Sequence, residues 1–309
     1  MSQSPFLQLR NSYPCLNLYM RNNLLSKIII LILLPIVVIG CPVSVQSEKA
    51  QSTAPDKKES AQTEHRIIAS IETPTDFQRI NLDPGSFSEY VRNLPLKPVG
   101  TAVYSYDGTL IKDADSVAGV IDWLLPSEVQ QCADVAIRLR AEYLRHVRER
   151  DKIVFKSVSG VQISYAKGLK GKYSLNQSGS AIIYSPTSKT KSDSGDEFEK
   201  YLHFVMLYAN SASLDRDLTE IDADKILPGD LYIQPDRSGR AGIGHVSVIL
   251  DVCEGKEGQR LYLFGYGFIP AQDFHLPLPE SGQGVGNWFS LDGWKESVER
   301  FGAGEFHRF

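Results

Sequence analysis

Two runs decide the fold class: Leu227-Pro228-Gly229-Asp230-Leu231-Tyr232 and, after a short loop, Gly244-His245-Val246-Ser247-Val248-Ile249-Leu250-Asp251-Val252-Cys253. The second run alternates. Val246, Val248, Leu250 and Val252 share one face, while His245, Ser247, Ile249 and Asp251 share the other, which is the period of two that a strand imposes. Gly255-Lys256-Glu257-Gly258 then reads as a turn tip, so Gln259–Gly267 returns as an antiparallel partner. Pairing Glu254 with Gln259 would set His245 opposite Phe268. Leu231–Gln234 and Trp288–Leu291 read as further strands.

Before these runs the texture is mainly helical. Ser86-Phe87-Ser88-Glu89 is a capping box that opens a helix to Asn93, and Pro95 and Pro98 stop it. Ser127-Glu128-Val129-Gln130 predicts the start of the longest helix, which runs to Arg150 with Cys132, Ala136, Leu139, Tyr143 and Val147 on its core stripe. Ser194-Gly195-Asp196-Glu197 caps a helix carrying Phe198, Tyr201, Leu202 and Val205, and a shorter one follows from Ser213 to Ile221. Val103–Tyr106, Val117–Trp123, Ile153–Val158 and Val161–Tyr165 read as short strands. Lys170–Gly195, dense in Ser, Gly, Lys and Thr, reads as an insertion, either a long loop or a β-excursion. Helices followed by an antiparallel sheet predict an α+β domain.

Composition sets the outer bounds. At 309 residues, 42% apolar and 23% charged, the chain is globular rather than disordered or fibrous. A formal charge of −4 lacks the basic surplus that phosphate contacts require, so nucleic acid is not an expected partner. Cys15, Cys41, Cys132 and Cys253 are too few and too scattered for a disulfide framework, and no Cys-x-x-Cys or His-Glu-x-x-His run is present. No cofactor or metal is therefore expected. Asp273-Phe274-His275 with His245 is the nearest approach to a ligand set.

The address is read from the beginning of the chain. From Met20, which we read as the true start, Arg21 and Lys27 precede the apolar run Ile28–Ile39, and then come Gly40 and Cys41. A positive region followed by an apolar stretch too short for a comfortable transmembrane helix is a secretion signal. Val38-Ile39-Gly40-Cys41 resembles the lipobox of bacterial lipoproteins, which implies lipidation of Cys41 and removal of residues 1–40. That cut takes away Arg10, Arg21 and Lys27 and no acid, moving the formal charge from −4 to −7. Attachment to the membrane would then rest on acyl chains rather than on charge. Residues 42–64 are polar and nearly free of large apolar side chains, so they read as a flexible linker, with one domain from 65 to 309. The expected location is the cell envelope, outside the cytoplasm.

The Pro228-Gly229-Asp230 and Gly244-His245-Val246 runs resemble the signature of NlpC-type papain-like cell-wall peptidases. The resemblance implies a papain-like form of the α+β class, with Cys132 as nucleophile, His245 as its base, and a later polar residue as orienter of the imidazole. Asp273 and Gln272 are the candidates for that third role, with His275 beside them. The expected substrate is an amide bond in peptidoglycan peptides. The chemistry is sound, because a thiol near an imidazole and a helix N-terminus ionises more readily. The sequence departs from the pattern at Gln131-Cys132-Ala133, where such enzymes usually carry Asp-Cys-Ser-Gly, and a helix beginning at Ser127 would bury Cys132 beyond its first turn. A non-catalytic domain that binds envelope ligands or partners is the alternative. Arg138, Arg140 and Arg145 with Glu142 could line an anionic site or form a solvated helix face. Cys253 lies eight residues along the strand from His245, roughly 26 Å at about 3.3 Å per residue, and reads as packing.

Over its length the chain also resembles a family of bacterial envelope proteins catalogued as domain of unknown function 4846. The matching runs are Asn93-Leu94-Pro95-Leu96-Lys97-Pro98, Gln130 to Leu144, Pro228-Gly229-Asp230, Gly244-His245-Val246 and Pro270-Ala271-Gln272-Asp273-Phe274-His275. That resemblance implies a shared fold and carries no activity with it.

Overall fold

The alternating run at His245 becomes the central strand of an eight-stranded antiparallel sheet. The computed structural model describes residues 66–124, 127–235 and 244–309. The signal, Cys41, the 42–64 linker and Gly242 lie outside the described residues. Within the sheet the strands are β1 (Phe77–Arg79), β2 (Thr219–Glu220), β3 (Leu231–Gln234), β4 (His245–Gly255), β5 (Arg260–Gly265), β6 (Gly284–Val285), β7 (Trp288–Phe289) and β8 (Glu305–Arg308). Their spatial order is β6-β7-β5-β4-β3-β8-β2, and β1 pairs with the far half of β4. The helices are α1 (Phe87–Arg92), α2 (Cys132–His146), α3 (Tyr165–Leu169), α4 (Gly195–Tyr208), α5 (Ser211–Asp217) and α6 (Leu291–Ser297). The fold is thus α+β, as expected, but helices and strands are less segregated along the chain than the sequence suggested. β1 comes early, α6 late, and Val117–Val120 pairs with His275–Pro277 across most of the domain.

Each face of β4 packs a separate apolar layer. Val246, Val248 and Leu250 join a large cluster with Ala133, Val135, Ala136 and Leu139 of α2, while Ile249 joins Phe264, Phe289 and Trp294 on the opposite face. Val252 departs from the expected alternation. The β4–β5 register shifts between Ile249 and Asp251, so Leu250 is an extra residue, Val252 turns to the second cluster and Cys253 to the first. The same bulge offsets a hairpin that pairs Glu254 with Arg260 rather than with Gln259. Ile249 pairs with Phe264 and Val248 with Gly265, so the expected alignment of His245 toward Phe268 is regained.

The longest helix begins later than its Ser127 capping box implied. The Asp134 carboxylate accepts from the Gln131 N–H at 2.9 Å, making Gln131 the N-cap and Cys132 the first helical residue. Gln130 is buried instead to accept from Arg138 Nε. At α1, Ser86 accepts from the Glu89 N–H as its motif implied. The Ser/Gly/Lys-rich insertion is a β-excursion in which Gly171–Leu175 pairs with Ile182–Pro186.

Two polar clamps tie the layers together. Asp251, fully buried, receives Arg79 Nε and Arg92 Nε at 2.6 Å each and so joins β1, α1 and β4. The Pro-Gly-Asp turn supplies the second. Asp230 receives Arg308 Nε and Nη2 at 2.7 Å each from β8 and the Leu227 N–H at 2.7 Å, a bidentate arrangement that fixes guanidinium geometry. Gly229 has φ +93°, and a Cβ there would lie 2.8 Å from the Phe87 ring, so the turn requires glycine. Among the described residues no helix is long and apolar enough to cross a membrane.

Candidate functional site

Helix α2 and strand β4 bring the two expected reactive residues to one end of the sheet. Cys132 opens α2, His245 opens β4, and the Cys132 sulfur lies 3.9 Å from the carbonyl oxygen of Gly244. Close approach of α2 depends on Gly267, just past β5, where a Cβ would lie 2.9 Å from Val135 Cγ2. The thiol therefore stands at the helix N-terminus, where the positive end of the dipole favours a thiolate, rather than beyond the first turn.

The side chains, however, do not meet. Strand alternation turns His245 away from the face on which Val246 packs against α2. Its ring instead stacks on Phe301 at 4.5 Å between centroids and meets Tyr266 and Phe268 edge-on at 5.1 and 5.6 Å. Among the described residues neither ring nitrogen has a hydrogen-bond partner, and the Cys132 sulfur is not one. Burial pushes the Cys132 thiol up to about 11, with the nearby Asp134 carboxylate adding to it, and pushes His245 down to about 3, reinforced by the charge of Arg300 and by His275. At neutral pH both groups are uncharged. Asp134 itself is pushed up to about 7 by burial, against the pull of its bond to Gln131. The expected catalytic contact is thus absent from this arrangement, and the reason is the side on which the strand presents His245.

The expected orienters are committed elsewhere. Asp273 receives Lys97 Nζ at 2.8 Å and the Tyr104 N–H at 2.9 Å, so it ties together backbone near Val103–Tyr104 rather than holding the imidazole. Gln272 is buried and bridges to Ser105 through the backbone. His275 comes closest to the expected role. It packs edge-on against Tyr266, 4.7 Å between centroids, and its Nδ1 donates to the Asp273 carbonyl at 3.0 Å. Burial pushes His275 down to about 4.

The arginines of α2 are also accounted for. Arg138 binds Glu199 through both terminal nitrogens, at 2.7 and 2.6 Å, and also reaches Glu142. Arg140 lies over the rings of Phe87, Tyr143 and Phe309, and Arg145 covers Phe198 while pairing with Asp193. The cavity beside them, about 530 Å³, is lined by Arg145, Arg150 and Asp193 among others and includes neither Cys132 nor His245. Cys253 is buried and free. No group of three or more His, Cys, Asp or Glu is placed to hold a metal ion among the described residues.

Several residues around His245 escaped the sequence reading. Tyr266 could have been found, because it directly follows β5, whose last residue Gly265 pairs with Val248, and continuing that register brings it to the His245 end of β4. Gln234 is the register partner of His245 on β3. Phe301 and Arg300 arrive from a 3₁₀ turn near the end of the chain, and nothing local signals their destination.

No curated protein and no solved structure matches the chain significantly. Residues 67–307, nearly the whole of the domain, match the family described as Domain of unknown function (4846), and the chain belongs to that family.

Proposed function

We propose that the protein is an exported lipoprotein, anchored through lipid on Cys41, whose domain hydrolyses amide bonds in envelope peptides. Cys132 is the nucleophile and His245 the base. The observation behind this reading is that the backbones of a helix-first cysteine and a strand-first histidine converge, the sulfur 3.9 Å from the carbonyl of the residue before His245, although the two side chains do not touch. Among the described residues no group claims the imidazole nitrogens, as a base awaiting its partner would require.

The reaction needs the start of β4 to rearrange, because the ring, now on the face opposite α2, must leave Phe301 and reach the sulfur. The thiol proton then passes to the imidazole, sulfur bonds to the amide carbon, and the C–N bond breaks as the amine takes that proton; water hydrolyses the thioester. In the arrangement described above, the ring lies against Phe301 and away from the sulfur, and that separation leaves the domain latent.

One specific observation favours a second reading, in which the domain binds envelope ligands without cleaving them: Cys132 is buried, only 6% exposed as a residue, and burial disfavours its thiolate. Digestion of purified muropeptides by the protein, by Cys132→Ala and by His245→Ala separates the two. Product from the native chain alone supports hydrolysis. Equal product from Cys132→Ala discards it, and retained muropeptides without cleavage by any of the three support binding.

A further inference from the structure

We infer that the α6-facing layer around His245 is a binding site for the carboxylate end of a peptide, with Arg300 and Lys112 at its rim and Phe268 and Phe301 as its walls. The inference rests on the proposed role of this end of the sheet and names its substrate class, but it makes no use of the Cys132 sulfur.

The first support is where the unpartnered polar atoms gather. Nine buried side-chain atoms among the described residues have no hydrogen-bond partner, and six of them belong to this one layer: both ring nitrogens of His245, Nε2 of His275, Oγ of Ser247, Oε1 of Gln234 and Nε1 of Trp294. Each of the five residues is at most 1% exposed. They share a neighbourhood. His245 and Ser247 lie on one face of β4, Gln234 is the register partner of His245, and Tyr266 touches the rings of His245, His275 and Trp294. Unmet buried polar atoms are costly, and such a concentration is a mark of a site that completes itself with a ligand.

Their chemistry is mixed in a definite way. His275 Nδ1 faces the Asp273 carbonyl, which can only accept, so the proton sits on Nδ1 and Nε2 is a free acceptor. Gln234 donates its amide N–H groups to the Val298 and Gly302 carbonyls, which leaves its oxygen as a second free acceptor. Trp294 Nε1 is a donor, and Ser247 Oγ can serve either way. A ligand with both N–H and oxygen atoms, as a peptide has, satisfies all of them.

The second support is uncompensated positive charge. Arg300 lies over Phe301 and Phe268, at 4.7 and 5.8 Å to the ring centroids, and makes no ion pair or hydrogen bond with another of the described residues. Lys112, half-buried, likewise has no ion-pair or hydrogen-bond partner for its amine among the described residues. Burial lowers its proton affinity and the charge of Arg300 lowers it further, and Lys112 in turn depresses His275. Two cations that influence each other, with no counter-charge among the described residues and beside flat apolar walls, fit an organic carboxylate better than inorganic phosphate.

Isothermal titration calorimetry of the protein with N-acetyl-alanyl-alanine, its C-terminal carboxamide and inorganic phosphate tests the site. Binding of the acid, at least roughly tenfold weaker binding of the carboxamide, and similar losses in Arg300→Gln and Lys112→Gln are expected. Both side chains lie at the rim, so their variants should melt with the native protein. Cys132→Ala should bind as well as the native chain, so a failure of hydrolysis leaves this result unaffected. No heat with the acid at millimolar concentration, equal affinity for acid and carboxamide, phosphate binding as tightly as the acid, or unchanged affinity in both variants would each overturn the inference.

Discussion

Replacing Asp251 by Ala should destabilise the domain more than any other single polar substitution in the sheet. The carboxylate is fully buried and takes Arg79 Nε and Arg92 Nε at 2.6 Å each, with the Val252 N–H on the same side chain at 2.9 Å. Removing it strands two guanidiniums whose side chains are 22% and 13% exposed. Breaking a buried ion pair by deleting one partner costs about 3–5 kcal/mol, and the partial exposure of both arginines places this case near the lower figure, about 3 kcal/mol. With a urea dependence of about 3 kcal/mol per molar, at the upper end for domains, the midpoint of urea unfolding should fall by about 1 M. The reasoning makes a further demand. Because charged groups lose hydration on burial, the triple variant Arg79→Met, Arg92→Met, Asp251→Leu should recover most of the loss. A midpoint shift equivalent to less than about 1 kcal/mol for Asp251→Ala, or a triple variant as unstable as the single one, would refute the idea that this triad clamps β1 and α1 to β4.

Three other outcomes follow from the same geometry. Gly229→Ala combines a φ of +93° with a Cβ 2.8 Å from the Phe87 ring, so thermal unfolding should show a loss of roughly 1–3 kcal/mol; an unchanged melt would contradict it. His245, held near 3 in the folded state, stays unprotonated while the unfolded chain takes a proton below its ordinary value near 6.5, so its contribution is intact above that pH and is lost as the pH falls toward 3. Stability measured from pH 6.5 down to 4.5 should therefore fall less steeply in His245→Gln than in the native chain, by up to about 1.4 kcal/mol per pH unit, and parallel slopes would count against it. The Cys132 thiol, pushed up to about 11 and 6% exposed, should react with iodoacetamide at pH 8 roughly a hundredfold more slowly in the native chain than in urea, as read by peptide mass spectrometry; equal rates would show the sulfur to be open.

The sheet was legible in the sequence because its central strands are long and their pattern is simple. His245 to Leu250 alternate as read, and the turn at Gly255–Gly258 is where the hairpin reverses. What failed was what needs a partner to see. The extra residue at Leu250 is a property of the β4–β5 pair, so nothing in β4 alone announces that Val252 changes faces. The start of α2 was misplaced because two caps compete: Ser127 satisfies the local rule, but Asp134 reaches Gln131 and wins the helix. For the candidate site, sequence reasoning delivered the backbones of Cys132 and His245 to one place and could not fix side-chain direction. His245 belongs to the same alternating face as Ser247 and Ile249, and that parity already set it against the face on which Val246 meets α2. Asp273 was misread as an orienter because its partners, Lys97 and the Tyr104 backbone, come from the opposite part of the chain.

The most direct test of the central claim is covalent capture by a muropeptide-like peptide vinyl sulfone, with the modified residue located by peptide mass spectrometry. If substrate binding brings imidazole to sulfur, the adduct forms on Cys132, far faster than with iodoacetamide, and disappears in His245→Ala. An unmodified Cys132 in the presence of excess probe, or an adduct that forms at the same rate without His245, would contradict the account.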